Sequence, residues 1–258
     1  MDIQKYTNPD GWRSLKQFTN ARIALGSTGV AIPLNELLAF RLAHAHARDA
    51  VYAALNENIL IEGIQQLQLA FYLLHSKAQN REQYLQYPQQ GRELNEASAE
   101  QLKQVDSVSD IAVVIADGLS ATAVNAHAIP LLQLLIPLIR QSGFSLAPVS
   151  VVQQARVAIG DEVGVLMKAG FTIVLIGERP GLSSPDSMGA YLTYKPAVGL
   201  TDESRNCVSN IRPEGMDYAI AAEKIHYLIT TAFLLQHSGV ALKDNAGLLG
   251  DNDITIGL

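Results

Sequence analysis

A single cysteine, Cys207, stands among 258 residues. No intrachain disulfide framework can form, and the chain suits a reducing compartment. Charge is sparse: 17% of residues are charged, 19 basic against 25 acidic, for a net charge of −6. The basic residues are scattered singly, which excludes non-specific nucleic-acid binding by phosphate neutralisation. The opening "MDIQKYTNPDGW" lacks the basic start and apolar core of a signal peptide. The longest apolar run, "AIPLLQLLIPLI" at 128–139, is too short for a bilayer and is interrupted by Pro130 and Pro137. These absences predict a soluble, cytoplasmic protein with neither nucleic acid nor membrane as partner.

Signatures of phosphate and metal chemistry are missing too. No GxxxxGK[ST] occurs, and "ALGSTGVAIP" offers Gly26 and Gly29 without the third glycine or preceding strand of a dinucleotide fingerprint. A tight turn is the expectation there. In "HAHARD", His44 and His46 are two apart, which on a helix turns them to different faces. No HExxH and no Cys/His group with zinc spacing is present, so no metal site is expected.

The residues that are present, 48% of them hydrophobic, fall into two patterns. Residues 33–77 carry apolar residues at helical spacing and predict two helices, the first ending near Leu55 and Asn56. The polar, Gln-rich stretch 78–104 predicts a connection with a short helix near its end. From residue 110 the pattern alternates. "DIAVVIADGLS", "FSLAPVSVVQQ" and "FTIVLIG" read as buried strands, "GAYLTYKP" as an edge strand and "NCVSNI" as a fourth buried strand. Between and after them come "ATAVNAHAIPLLQLLIPLIRQSG", "GDEVGVLMKAG" closed by Gly170, and a long amphipathic helix ending at Gly239. The prediction is an α/β fold: a mostly parallel, Rossmann-like sheet flanked by helices and preceded by an N-terminal helical region.

In such a sheet, ligands sit beyond the carboxyl ends of the strands. "ADGLS", "GERPGLSSPDS" and the loop after "NCVSNI" should therefore meet at one edge. Glu178 ends a buried strand, where an unpaired carboxylate is costly. Pairing with Arg179 and binding a ligand are both open, and neighbouring strand residues point to opposite faces, which favours an external partner. Cys207 opens an apolar run, where it packs as a small hydrophobe or lines an apolar pocket rather than acting as a nucleophile.

Six segments in order, "ARIALGSTG", "HAHARDAV", "VVIADGLSATAV", "ARVAIGDEVG", "GERPGLSSPDSMG" and "RNCVSNIRPEG", resemble the small subunit (light chain) of ethanolamine ammonia-lyase. The resemblance runs from about residue 10 to about residue 245. It implies a partner, the TIM-barrel large subunit that holds the substrate, in a hetero-oligomer using adenosylcobalamin as cofactor. The complex would convert ethanolamine into acetaldehyde and ammonia by cofactor-initiated radical chemistry. Matched position by position, it implies cobalamin contacts at Val157, Glu178 and Cys207, and no general acid or base in this chain. It also implies that residues 1–105 face the large subunit and residues 106–258 contact cobalamin. Apolar surface for that partner is expected around His44–Tyr52 and on the long C-terminal helix. The resemblance also implies a bacterial microcompartment as a destination, directed by a longer N-terminal extension; little precedes Trp12 here to direct this. The tail "GLLGDNDITIGL" matches no motif. Two rival readings are a stand-alone nucleotide-binding enzyme, with Asp117 and Glu178 on a ribose, and a purely scaffolding subunit.

Overall fold

Six strands form one sheet in the computed structural model, which describes residues 8–243. The tail segment named above lies outside the described residues. The elements follow in the order α1 (Leu34–Tyr52), α2 (Glu57–Gln66), β1 (Phe71–His75), α3 (Arg81–Gln86), α4 (Glu96–Lys103) and β2 (Ser109–Ala116). Then come α5 (Ala121–Gln141), β3 (Val149–Gln153), α6 (Ile159–Leu166), β4 (Ala169–Gly177), β5 (Met188–Tyr194), β6 (Asn206–Ile211) and α7 (Tyr218–Leu235). The sheet order is β1-β3-β2-β4-β5-β6. The first four strands are parallel, and β5 and β6 are antiparallel additions, so the sheet is mixed.

The central strands are apolar throughout because both faces are covered. Along β2, Ile111, Val113 and Ile115 enter the core shared with α5 and α7, while Ala112, Val114 and Ala116 enter the core shared with α6. This period of two is the pleat itself. Each of the three larger residues is fully buried, worth about 1.5–3 kcal/mol of transfer free energy. On the second face the small Ala112 and Ala116 of β2 and Gly160 of α6 leave little room, and a Cβ on Gly160 would meet Val174 Cγ2 at 2.3 Å.

Four expectations are corrected. Phe71–His75 is a strand paired with β3 rather than the end of a helix. A five-residue apolar run has no period that separates the two, and Gln68, with φ of 56°, turns the chain after α2. Secondly, β5 is an interior strand and β6 follows it as the outermost, half-exposed one, the reverse of the edge assignment. Thirdly, Gly170 lies within β4; the left-handed turn after α6 falls on Lys168, with φ of 53°. Finally, Pro130 and Pro137 lie inside α5 without ending it, giving a helix long and apolar enough to cross a membrane. Most of its apolar side chains are buried in the sheet's core instead.

Candidate functional site

The chain leaves β2 into α5 on one face and leaves the adjacent β3 into α6 on the other. This divergence opens a crevice at the carboxyl ends of the strands. A cleft of about 1370 Å³ occupies it, lined by Gly118, Val157, Glu178, Tyr191, Ser209 and Arg212 among others. Two glycines shape its floor. A Cβ on Gly177 would lie 2.0 Å from the Ser120 carbonyl oxygen, and one on Gly118, whose φ is 57°, would lie 2.3 Å from the Gly177 carbonyl oxygen. Only bare backbone lets the ends of β2 and β4 approach this closely.

Glu178 faces the cleft, half-buried, and its carboxylate is already engaged. Ser187 Oγ donates to Oε2, Ser209 Oγ donates to Oε1 at 2.6 Å, and the Asn210 backbone N–H donates to Oε2 at 3.1 Å. Among the described residues no ion pair joins it to Arg179. Three donors from β5, β6 and their loops answer the desolvation problem at the strand end. A carboxylate accepts about four hydrogen bonds, so acceptor capacity remains toward the cleft.

Val157 lines the same cleft from the turn that opens α6, half-buried on the face of the second core. Cys207 is exposed on β6, directly opposite Tyr191, itself a cleft residue. Desolvation by the surrounding protein and the negative charge of Glu178 push the Cys207 thiol up, against a hydrogen bond with Tyr191 that lowers it. The thiol is therefore protonated near neutral pH, which fits a packing group and not a nucleophile. Val157, Glu178 and Cys207 thus gather on one side of the molecule from three elements.

Asp117 serves the scaffold. Its oxygens accept from the Gln154 and Ala155 backbone N–H groups, both at 2.9 Å, and Arg81 stands 3.7 Å away. Burial pushes this carboxyl up, opposed by those donors. At 3% exposure and outside the cleft lining, this carboxylate is not presented to a ribose, which counts against the nucleotide-enzyme reading. Beside it, Tyr84 is stacked between the Arg81 and Arg156 guanidinium groups, 4.5 and 4.4 Å from its ring centre. Burial pushes the Tyr84 hydroxyl up to about 12.

Sequence reasoning missed the other fixed wall. Arg205 Nη1 and Nη2 donate to Asp161 at 2.6 and 2.8 Å, with both side chains buried, and Nη2 also reaches the Leu200 carbonyl at 3.0 Å. This pair ties β6 and the loop 195–205 to the start of α6 across 44 residues of sequence. No local motif marks it.

The ethanolamine ammonia-lyase light chain model matches residues 9–243. The chain belongs to this family. Relatives named "Ethanolamine ammonia-lyase small subunit" include one from Xanthomonas campestris pv. campestris, 53% identical over 241 residues, covering 92% of this chain and 89% of the relative. Another, from Azotobacter vinelandii, is 50% identical over 239 residues, covering 91% and 88%. One from Pseudomonas putida is 49% identical over 250 residues, covering 95% and 92%. The light-chain match spans all six strands and the cleft.

Outside the cleft, this light chain carries a bare helix. Of the 19 residues of α1 only Ala50 is buried, while Leu34, Leu38, Phe40, Leu42 and Tyr52 are exposed. The apolar surface expected around His44–Tyr52 lies instead on the N-terminal half of α1, from Leu34 to Leu42, and Tyr52 is the one large hydrophobic exposed between residues 44 and 52. By contrast α7 buries Ala221, Ile225, Leu228 and Ile229 and exposes apolar residues only near its ends.

Proposed function

We propose that this chain is the small subunit of an adenosylcobalamin-dependent ethanolamine ammonia-lyase, a carbon–nitrogen lyase active only as a hetero-oligomer with its large subunit. The observation that carries the reading is the open cleft at the carboxyl ends of the strands, lined by Val157 and Glu178, with Cys207 paired to its wall residue Tyr191. A corrin presents a broad apolar face edged with amides. Leu119, Val157 and Ile176 supply apolar wall, and Glu178, Ser209 and Asn210 supply a polar rim that can meet amide groups. The residues present therefore fit the group.

When bound, adenosylcobalamin supplies the radical that starts the conversion of ethanolamine to acetaldehyde and ammonia. This chain's residues bind and orient: Val157 and the Cys207 thiol pack against the ligand, and Glu178 accepts from its amide edge. The scaffold beneath them keeps water out of the strand ends. No side chain here is assigned a proton transfer. The exposed apolar face of α1, with residues 1–105 as a whole, docks against the large subunit, and residues 106–258 hold the cofactor face. The assembled enzyme works in the cytoplasm, with a bacterial microcompartment as the site where the family's packaging signal would take it.

The test is cofactor affinity in the assembled complex. Glu178→Gln and Glu178→Ala are expected to raise the half-saturating adenosylcobalamin concentration by about tenfold, the loss of one charge-assisted hydrogen bond. Affinity unchanged in both variants leaves only the scaffolding role, which the three internal donors to Glu178 already give it.

A further inference from the structure

We propose that the buried His127 is a positioning residue, clamping the loop Glu178–Ser187 onto α5 through Asp186 so that Glu178 presents a fixed acceptor to the cleft. The inference builds on the cobalamin reading of that cleft.

His127 lies on α5 and is 5% exposed. Its ring joins three segments: Nδ1 lies 2.7 Å from the Tyr218 hydroxyl at the start of α7, and Nε2 lies 3.4 Å from Asp186 Oδ2 in the loop. The two contacts fit a ring whose Nδ1 accepts from Tyr218 and whose Nε2 hydrogen is donated to the carboxylate. The other Asp186 oxygen is 3.4 Å from Arg212 Nη1. Arg212 Nε donates to Asn210 Oδ1 at 3.0 Å, and the Asn210 backbone N–H donates to Glu178 at 3.1 Å. The same loop is held a second time, by Ser120 Oγ donating to the Pro185 carbonyl at 2.8 Å. Its far end is closed by the Glu178 N–H donating to the Ser187 carbonyl at 2.9 Å.

A core histidine that merely satisfies itself needs one or two partners on neighbouring helices. Here the contacts leave the core and reach the loop and, through Arg212 and Asn210, the other side of Glu178. The carboxylate is thus held from both flanks. A ligand meeting it has no loop to order first, which raises affinity without touching the chemical step.

Asp186→Ala tests this, because Asp186 is partly exposed and its loss leaves no cavity in the core. His127→Leu removes the clamp from the other side, and His127→Gln, whose amide can still donate toward Asp186, is the rescue. Amide hydrogen exchange of residues 178–187 and the saturation curve for adenosylcobalamin are measured on the complex with the large subunit. In Asp186→Ala and His127→Leu, exchange is expected to speed up and half-saturation to rise, each about tenfold, with kcat unchanged and with His127→Gln recovering most of both. Exchange unchanged in both variants overturns the clamp, whatever the affinity does. Faster exchange with unaltered half-saturation upholds the clamp and overturns the assignment of the cleft to cobalamin.

Discussion

Arg205→Ala would strip a buried carboxylate of its counter-ion. Both side chains of the Arg205–Asp161 pair are 2% exposed, and two parallel hydrogen bonds at 2.6 and 2.8 Å join them. Arg205 also donates to Thr193 Oγ1 at 3.2 Å and to the Leu200 carbonyl. Breaking a buried pair by removing one partner costs about 3–5 kcal/mol, because the remaining charge keeps its desolvation penalty. Asp161 stands in the first turn of α6, where the helix dipole returns about 0.3–1 kcal/mol. The expected loss is therefore about 2–5 kcal/mol, or a fall in Tm of roughly 4–20 °C for a chain of this size. Thermal and urea melts of the purified chain measure it, with Arg205→Met/Asp161→Leu as control. The apolar pair removes both charges and should fall within about 1 kcal/mol of the parent. An Arg205→Ala loss below about 1 kcal/mol would refute the buried, coupled geometry.

Three other consequences are accessible. Cys207, exposed but with its thiol pushed up, should react slowly with iodoacetamide near neutral pH, with an inflection above the ordinary thiol range. Glu178→Gln should lower that inflection by removing the repelling charge, and an unperturbed alkylation profile would contradict the account. Burial pushes His226 below its ordinary value of 6.5, so the unfolded chain takes up a proton first as pH falls. Stability from this residue is then complete above about pH 6.5 and declines on acidification, and His226→Asn should flatten the urea-midpoint profile between about pH 7 and 5. Leu38→Ser and Leu42→Ser, both on the bare face of α1, should leave the unfolding free energy within about 0.5 kcal/mol of the parent yet weaken copurification with the large subunit.

Of the four parallel strands, β2, β3 and β4 could be read from residue types alone, because their runs are mostly apolar and rich in β-branched residues. The strand Phe71–His75 could not, since its five residues follow a helix and share its composition. The exchange of β5 and β6 has a similar origin. "GAYLTYKP" alternates as an edge strand does, but β6 pairs outside it, and that pairing joins residues such as Tyr191 and Cys207 with no local signal. For Glu178 the sequence left Arg179 and a ligand open and leaned to an external partner, whereas the donors it has within the chain stand 9, 31 and 32 residues away and meet it only through sheet order. His127 looked like one scattered histidine for the same reason, as Asp186 and Tyr218 lie 59 and 91 residues along the chain. Asp117 was legible as a strand-end acid, but the two N–H groups that engage it come from the turn after the neighbouring β3, 37 and 38 residues along the chain.

Ammonia release from ethanolamine in the presence of adenosylcobalamin, measured with this chain and a cognate large subunit separately and mixed, tests the central claim. The account predicts release from the mixture alone, with neither chain active by itself. Chains that copurify but release no ammonia, or a large subunit equally active alone, would contradict it.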